Sequence, residues 1–262
     1  MIHRWRWSRS LSLAWSRSSR HSSAQVLACP AISHARVGAR MKLHLFVGPT
    51  ASGMEQVLAG HADVVVHAPA RRGDIQALVA QNPQPGCIAI VDGTFHSFPS
   101  VGHIEIRRAI QNGWQVWGLA SMGAIRAGEM RFLGMQGYGV VYGHYRDDPE
   151  FDDDEVTLVH EIDAPYRAMS EPLIHLRGFV SALQDQQKIS THHAQAIIQD
   201  LKERWYAERT LSRLKKLLLA TGQMTRQDVD EALGGFNGYR VKSQDLQGFL
   251  ASRCWRAEKA VG

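Results

Sequence analysis

Cys87-Ile-Ala-Ile-Val91, followed at once by Asp92-Gly93, has the sequence pattern from which the fold class can be predicted. Its five apolar residues are typical of a strand buried on both faces, and Asp-Gly is a frequent turn sequence. Similar apolar runs occur at 43–47, 62–66 and 114–120, with helical patterns at 74–81, 101–112 and 123–131 between and after them. This alternation predicts a small doubly wound α/β domain with a mostly parallel, Rossmann-like sheet.

The second half of the chain has a different pattern. Helical spacing extends over 173–186, 191–219, 225–233 and 243–258, with few strand-forming residues. Thr191 and Thr225 are suitable helix caps. A further strand is expected at 155–162. We therefore expect an α/β core domain over residues 41–165 and an α-helical C-terminal subdomain over residues 166–262.

The first forty residues do not fit this pattern. They hold nine Ser and seven Arg but no Asp, Glu or Lys, a composition also typical of organelle transit peptides. Met41 opens the first clear strand pattern. We expect the native start at Met41 and expect residues 1–40 to be a disordered extension outside the fold.

Charge and cysteine content narrow the function classes. The formal charge of the whole chain is +5, but residues 41–262 hold 23 of the 30 basic side chains and all 25 acidic ones. A nucleic-acid partner would therefore depend on residues 1–40 alone. The three cysteines are scattered, which excludes a disulfide framework and a cysteine-rich zinc module. We expect a cytoplasmic protein with no nucleic-acid or membrane partner, no metal and no cofactor.

Ligands of open α/β sheets bind beyond the carboxyl ends of the strands, and three such ends carry suitable side chains. Arg71 and Arg72 follow the second strand, where they could hold an anion or simply pair with Asp74 in solvent. Asp92 follows the third strand and could orient His96 or a water for acid–base chemistry near neutral pH. The alternative is that Asp92 only caps its own turn.

The fourth strand end turns directly into a helix at Ser121. The pattern resembles a nucleophile elbow, except that Leu119 stands in place of its first glycine. Ser121 is a candidate nucleophile, oxyanion ligand or helix cap, and the N–H of Gly123 is a candidate anion donor. Arg126 and Glu129 share one helix face, where they could pair with each other or face the cleft.

Seven acidic side chains lie among residues 147–155. Clustered carboxylates bind Mg²⁺, bind a basic partner surface or are simply solvated. No ligand spacing is evident here, so no metal site is expected.

Several segments, in this order, resemble the TfuA-like proteins across residues 43–175. The segments are Phe46-Val-Gly-Pro49, Pro69-Ala-Arg-Arg-Gly-Asp74, Val91-Asp-Gly-Thr-Phe-His96, Gly118-Leu-Ala-Ser-Met-Gly-Ala-Ile-Arg-Ala-Gly-Glu129, Gly134-Met-Gln-Gly-Tyr-Gly139, Asp152-Asp-Asp-Glu-Val156 and Ser170-Glu-Pro172. The resemblance implies partnership with a YcaO-type enzyme, which activates peptide amides with ATP during thioamidation of ribosomally made peptides (RiPP biosynthesis). It also implies sulfur supply, in one form by hydrolysis of a thiocarboxylated ThiS-like carrier protein.

Such a hydrolase needs an activated nucleophile and an anion hole. On this hypothesis Asp92 or His96 is the base, Ser121 is the bolder candidate for nucleophile, and the helix start around Gly123 is the hole. Arg71, Arg72 or Arg126, with Glu129 beside it, would hold the carrier's anionic C-terminus. The alternative is a non-catalytic adapter that binds YcaO and channels sulfur or substrate. A nucleotide-binding protein is a third interpretation, suggested by the fold alone.

Overall fold

A computed structural model describes residues 41–94 and 98–256. The expectations for residues 1–40 and for His96 lie outside this range. The described residues belong to one compact unit. Within it, no helix is long and apolar enough to cross a membrane.

Five parallel strands form the central sheet of the described region. They are β1 (Leu43–Phe46), β2 (Val64–His67), β3 (Cys87–Ile90), β4 (Gln115–Leu119) and β5 (Gln136–Tyr138), in the order β2-β1-β3-β4-β5. Leu43 lies opposite Val64 on one side and Cys87 on the other. This sheet confirms the predicted α/β class, while β5 was not foreseen because it is short and contains Gly137.

Helices follow the strands and then continue without strands, as the helical spacing predicts. Those within the sheet region are α1 (Glu55–Ala59), α2 (Asp74–Gln81), α3 (His103–Gln111), α4 (Met122–Met130) and α5 (Gly139–Asp147). The later ones are α6 (Leu173–Asp185), α7 (Thr191–Glu203), α8 (Leu211–Ala220), α9 (Arg226–Gly234) and α10 (Val241–Ser252).

Two details of the prediction are wrong. Residues 191–219 form two helices, because the buried Arg209 guanidinium collects the carbonyls of Leu201, Lys202 and Arg204 at the end of α7. Residues 155–162 form no strand, and their one ladder contact is an isolated bridge between His160 and Ala168. This segment instead lies over the carboxyl edge of the sheet.

α10 returns to the sheet and contacts three of its loops or strands. The Ser243 hydroxyl donates to the Thr50 carbonyl (2.8 Å), beyond β1. The Asp245 carboxylate accepts the N–H groups of Val140 and Val141 at the start of α5. Phe249 packs against the Trp117 ring on β4. The last helix is therefore part of the sheet's surroundings and brings its first turn to the carboxyl edge.

Candidate functional site

The carboxyl ends of β1, β3 and β4 open into a small cavity. It is covered by the 156–160 segment and by the first turn of α10. Its lining residues are Pro49, Asp92, Gly93, Ser121, Val156, Leu158, His160 and Lys242. We call this the inner cavity.

Asp92 is buried at the floor of the inner cavity and holds the turn after β1. One carboxylate oxygen accepts the N–H groups of Gly48 (2.9 Å) and Thr50 (3.0 Å), and the other accepts the Thr50 hydroxyl (2.7 Å). Asp92 therefore reaches across to the neighbouring loop rather than only capping its own turn. Three donors therefore hold the Asp92 carboxylate in a fixed position in the site.

Ser121 lies on the sharpest turn of the site. Its N–H bonds the Leu119 carbonyl at 2.7 Å, and Ala120 between them has a φ of +63°. A left-handed Ala is strained, and such strain often accompanies a functional site. Ser121 stands at the N-cap of α4, but its hydroxyl makes no capping bond to the helix. The capping interpretation is wrong, and the buried serine is left lining the inner cavity.

Gly123 does not form the expected anion hole. Its N–H donates to the Val91 carbonyl (3.2 Å), and the N–H of Ala124 donates to the Ser121 carbonyl (2.9 Å). A Cβ at Gly123 would collide with the Ile90 carbonyl. The start of α4 is therefore bonded into the end of β3, and Gly123 serves close packing of helix on strand.

Lys242 is a functional candidate that sequence reasoning missed, as is His160, which lines the same cavity. Only 2% of it is exposed, and its ammonium donates to the Val156 carbonyl at 3.1 Å. The nitrogen lies 4.0 Å from Asp92 Oδ1. Burial lowers the pKa of Lys242, while the charges of Asp92 and Glu171 act in the opposite direction. Nothing in the sequence around a lone helical lysine distinguishes it from a solvated one.

A buried polar network supports the first turn of α10. Glu171 accepts a hydrogen bond from the Arg240 guanidinium and contacts His175 Nδ1 at 3.2 Å. The backbone N–H of Lys242 is 3.4 Å from His175 Nε2, in position to donate to it. Burial lowers the pKa of His175 to about 4, so its ring is neutral at neutral pH. Glu171 belongs to the Ser170-Glu-Pro172 motif. This motif therefore has a structural role, because it supports the first turn of α10.

An outer cleft adjoins the inner cavity, and Leu158 and His160 line both. Arg71 lies on its wall with the guanidinium over the Phe98 ring, 3.8 Å from the centroid. Asp74 accepts the backbone N–H of Arg71. The buried Arg71 Nε has no hydrogen-bond partner in the described part of the chain. Arg72 is exposed and is not among the lining residues.

Arg126 and Glu129 do not line either cavity. The Arg126 guanidinium donates to the Val101 carbonyl (3.0 Å) and to Glu129 (2.6 Å). Glu129 also contacts His103 Nε2 at 2.8 Å. The two side chains are thus partners of each other on α4, and the predicted role of Arg126 in holding an anionic C-terminus lacks geometric support.

Two members of the acidic segment are internal partners. Glu155 is buried and binds the Arg177 guanidinium through both oxygens. Asp154 binds Arg209 at 2.6 Å. Among the residues that the structure describes, no group of His, Cys, Asp and Glu is arranged to hold a metal ion. The exposed acids are Asp147, Asp148, Glu150 and Asp153.

The structure is that of a doubly wound α/β protein with a polar site at the carboxyl edge of its parallel sheet. This site combines a buried carboxylate, a serine on a strained turn and a buried lysine. The family model described as TfuA-like protein matches residues 92–210. This match confirms the resemblance of residues 92–210 to the TfuA-like family and supports a role associated with thioamidation. No curated protein matches the chain. The matched segment contains Asp92 and Ser121 but not Lys242.

Proposed function

We propose that this protein hydrolyses the thiocarboxylate at the C-terminus of a ThiS-like carrier protein and so supplies sulfide to a YcaO-type partner. The observation that carries this proposal is the placement of Ser121. Its hydroxyl is not used as a helix cap, it follows a left-handed Ala120, and it lines the same cavity as Asp92 and Lys242. This combination suits a nucleophile held at a strand-to-helix turn.

The reaction needs no redox partner. The Ser121 oxygen attacks the thiocarboxyl carbon, the C–S bond breaks, and the serine proton leaves with the sulfur as HS⁻, which takes up the proton released in the next step to give H₂S. Water then attacks the resulting ester, restores the Ser121 hydroxyl and leaves a carboxylate on the carrier. Overall, one thiocarboxylate and one water give one carboxylate and one H₂S.

His160 adds a candidate base to Asp92 and His96. Its Nδ1 is 2.6 Å from the Glu161 carbonyl, so Nδ1 carries the proton and Nε2 is left as an acceptor. The His160 side chain lines both cavities. Asp92 is already the acceptor of three hydrogen bonds, which favours an organising role for it. We therefore assign proton transfer to His160 and retain His96 as the second candidate.

The outer cleft fits an extended polypeptide tail. Arg71 supplies a cation on its wall, while Phe98, Leu158 and Tyr166 supply apolar and aromatic surface. In this arrangement the carrier's tail enters through the outer cleft, and its reactive end reaches the inner cavity. Arg71 rather than Arg72 is then the contact for the tail.

The test mixes the purified protein with a thiocarboxylated ThiS-type carrier without YcaO. Sulfide is measured, and intact mass follows conversion of the carrier from thiocarboxylate to carboxylate. Release above the protein-free rate is expected, and Ser121→Ala should remove most of it. Ser212→Ala, at an exposed position in α8, is the matched control. Full activity in Ser121→Ala would rule out the serine as nucleophile, and no release with or without YcaO would contradict the hydrolase.

A non-catalytic adapter is the second candidate function. It is favoured by large apolar side chains that remain exposed near the outer cleft, since Ile162 lines that cleft at 68% exposure and Trp205 precedes the lining Tyr206 at 62%. Ile162→Ser together with Trp205→Ser should weaken YcaO binding under this hypothesis. YcaO binding without sulfide release would favour the adapter over the hydrolase.

A further inference from the structure

Lys242 is a buried cation with unused hydrogen-bonding capacity. A lysine ammonium has three N–H donors, and the Val156 carbonyl is its one hydrogen-bond acceptor in the described part of the chain. Asp92 lies at 4.0 Å, beyond hydrogen-bond distance, and its oxygens already serve Gly48 and Thr50. A buried charge with so few partners is costly unless a ligand completes its coordination.

The support of Lys242 is unusually complete for a residue near the end of the chain. Ser243, next to it, is bonded to the turn after β1, and Asp245, three residues on, is bonded to the start of α5. Arg240, two residues before it, is paired with Glu171. A side chain held by contacts on both sides keeps its ammonium in a defined place, as an anion-binding group requires.

We propose that Lys242 is the anion-binding residue of the inner cavity: it binds the terminal (thio)carboxylate of the substrate and stabilises the oxyanion that forms during attack at Ser121. The proposal rests on the proposed function in taking a carrier C-terminus as ligand. The lysine retains its proton throughout and forms no covalent bond. It takes the role that was expected of the Gly123 and Ala124 N–H groups, which are bonded to the Val91 and Ser121 carbonyls.

Binding and turnover are measured separately. The first measurement is the affinity of the full-length protein for the same carrier ending in an ordinary carboxylate, compared with one ending in a carboxamide. Lys242→Met should weaken binding of the carboxylate form about tenfold or more and should abolish the preference over the amide. Lys216→Met, at an exposed site in α8, should leave binding unchanged. Equal affinity of wild type and Lys242→Met, or no carboxylate preference in the wild type, would overturn the proposal.

The second measurement separates loss of the Lys242 ammonium from a change in the fold caused by its replacement. Lys242→Ala leaves space for a small amine, and added propylammonium should restore carboxylate binding and sulfide release in this variant. It should not restore sulfide release in Ser121→Ala, which lacks the nucleophile. With the thiocarboxylated carrier, the variant should lose kcat as well as raise KM. Unchanged sulfide release in Lys242→Met would overturn the lysine's role and leave the hydrolase standing. Carboxylate binding that depends on Lys242, without sulfide release, would support the role of the lysine and contradict the hydrolase.

Discussion

The Ser243 hydroxyl donates a 2.8 Å hydrogen bond to the Thr50 carbonyl, and this joins the start of α10 to the turn that Asp92 holds. Because Lys242 immediately precedes Ser243, the positions of the buried carboxylate and the buried ammonium are set by one connected set of hydrogen bonds. Removing the buried carboxylate should therefore change the position of the buried ammonium, and removing the ammonium should change that of the carboxylate.

Asp92→Ala should destabilise the protein strongly. It leaves the N–H groups of Gly48 and Thr50 and the Thr50 hydroxyl without their acceptor, which should lower the free energy of unfolding by at least about 2 kcal/mol. Asp92→Asn keeps one acceptor oxygen and should lose clearly less. Urea denaturation of both variants measures the difference. If the alanine variant is as stable as wild type, the hydrogen bonds to Asp92 are not structural.

Gly123→Ala should fail to fold or should lose more than about 3 kcal/mol, because its Cβ would occupy the space of the Ile90 carbonyl. Gly143→Ala is the matched control inside helix α5. A Cβ there meets nothing within 4 Å, so this change should stabilise the protein by about 0.5–1 kcal/mol. Thermal unfolding of the pair tests the packing, and similar effects at both sites would contradict it.

His175 should make the protein lose stability in mild acid. Its pKa is about 4 in the folded protein against an ordinary 6.5, so the unfolded chain takes up a proton first as the pH falls. The stability is complete above pH 6.5 and is lost between pH 6.5 and 4, by about 3 kcal/mol in total. His175→Gln should be less stable at pH 7 but should lack this part of the pH dependence. Denaturation curves at half-unit pH steps measure the slope, which should differ between the two proteins.

Removing Glu155 alone should lower the free energy of unfolding more than removing Glu155 and Arg177 together. Glu155→Ala leaves the partly buried guanidinium without its bidentate partner, and a loss of about 3 kcal/mol is expected. Arg177→Ala in addition should recover part of that loss in a double-mutant cycle. Additive losses in the cycle would show that Glu155 and Arg177 do not interact.

A test of the acidic segment as a docking surface should reverse the charge only at the exposed Asp148 and Glu150, because Glu155 belongs to this buried pair.

The sheet could be predicted because its strands carry uninterrupted apolar runs, as Cys87–Ile90 shows. β5 could not be predicted, because it consists of three half-buried residues that include a glycine and show no strand pattern. The break between α7 and α8 was equally hidden, since it depends on Arg209 turning inward to carbonyls that only the folded chain brings together.

The site was predictable where it depends on strand ends. Asp92 and Ser121 follow β3 and β4 directly, so the topology alone places them at one edge. Lys242 comes from a distant helix, and its burial is decided by tertiary packing that no local pattern records. The anion hole was misplaced for a related reason: the geometry of α4 delivers the N–H of Gly123 to the Val91 carbonyl.

Thr50 and Ser243 are 193 residues apart in the chain. At a ribosomal rate of about 5–20 residues per second, roughly 10 to 40 seconds separate the synthesis of the two. For more than half of that interval the nascent protein already contains Asp92 and Ser121 but lacks the lysine and the helix that closes the cavity. The completed site therefore requires the chain as far as α10, and translation that stops before α10 yields a sheet without it.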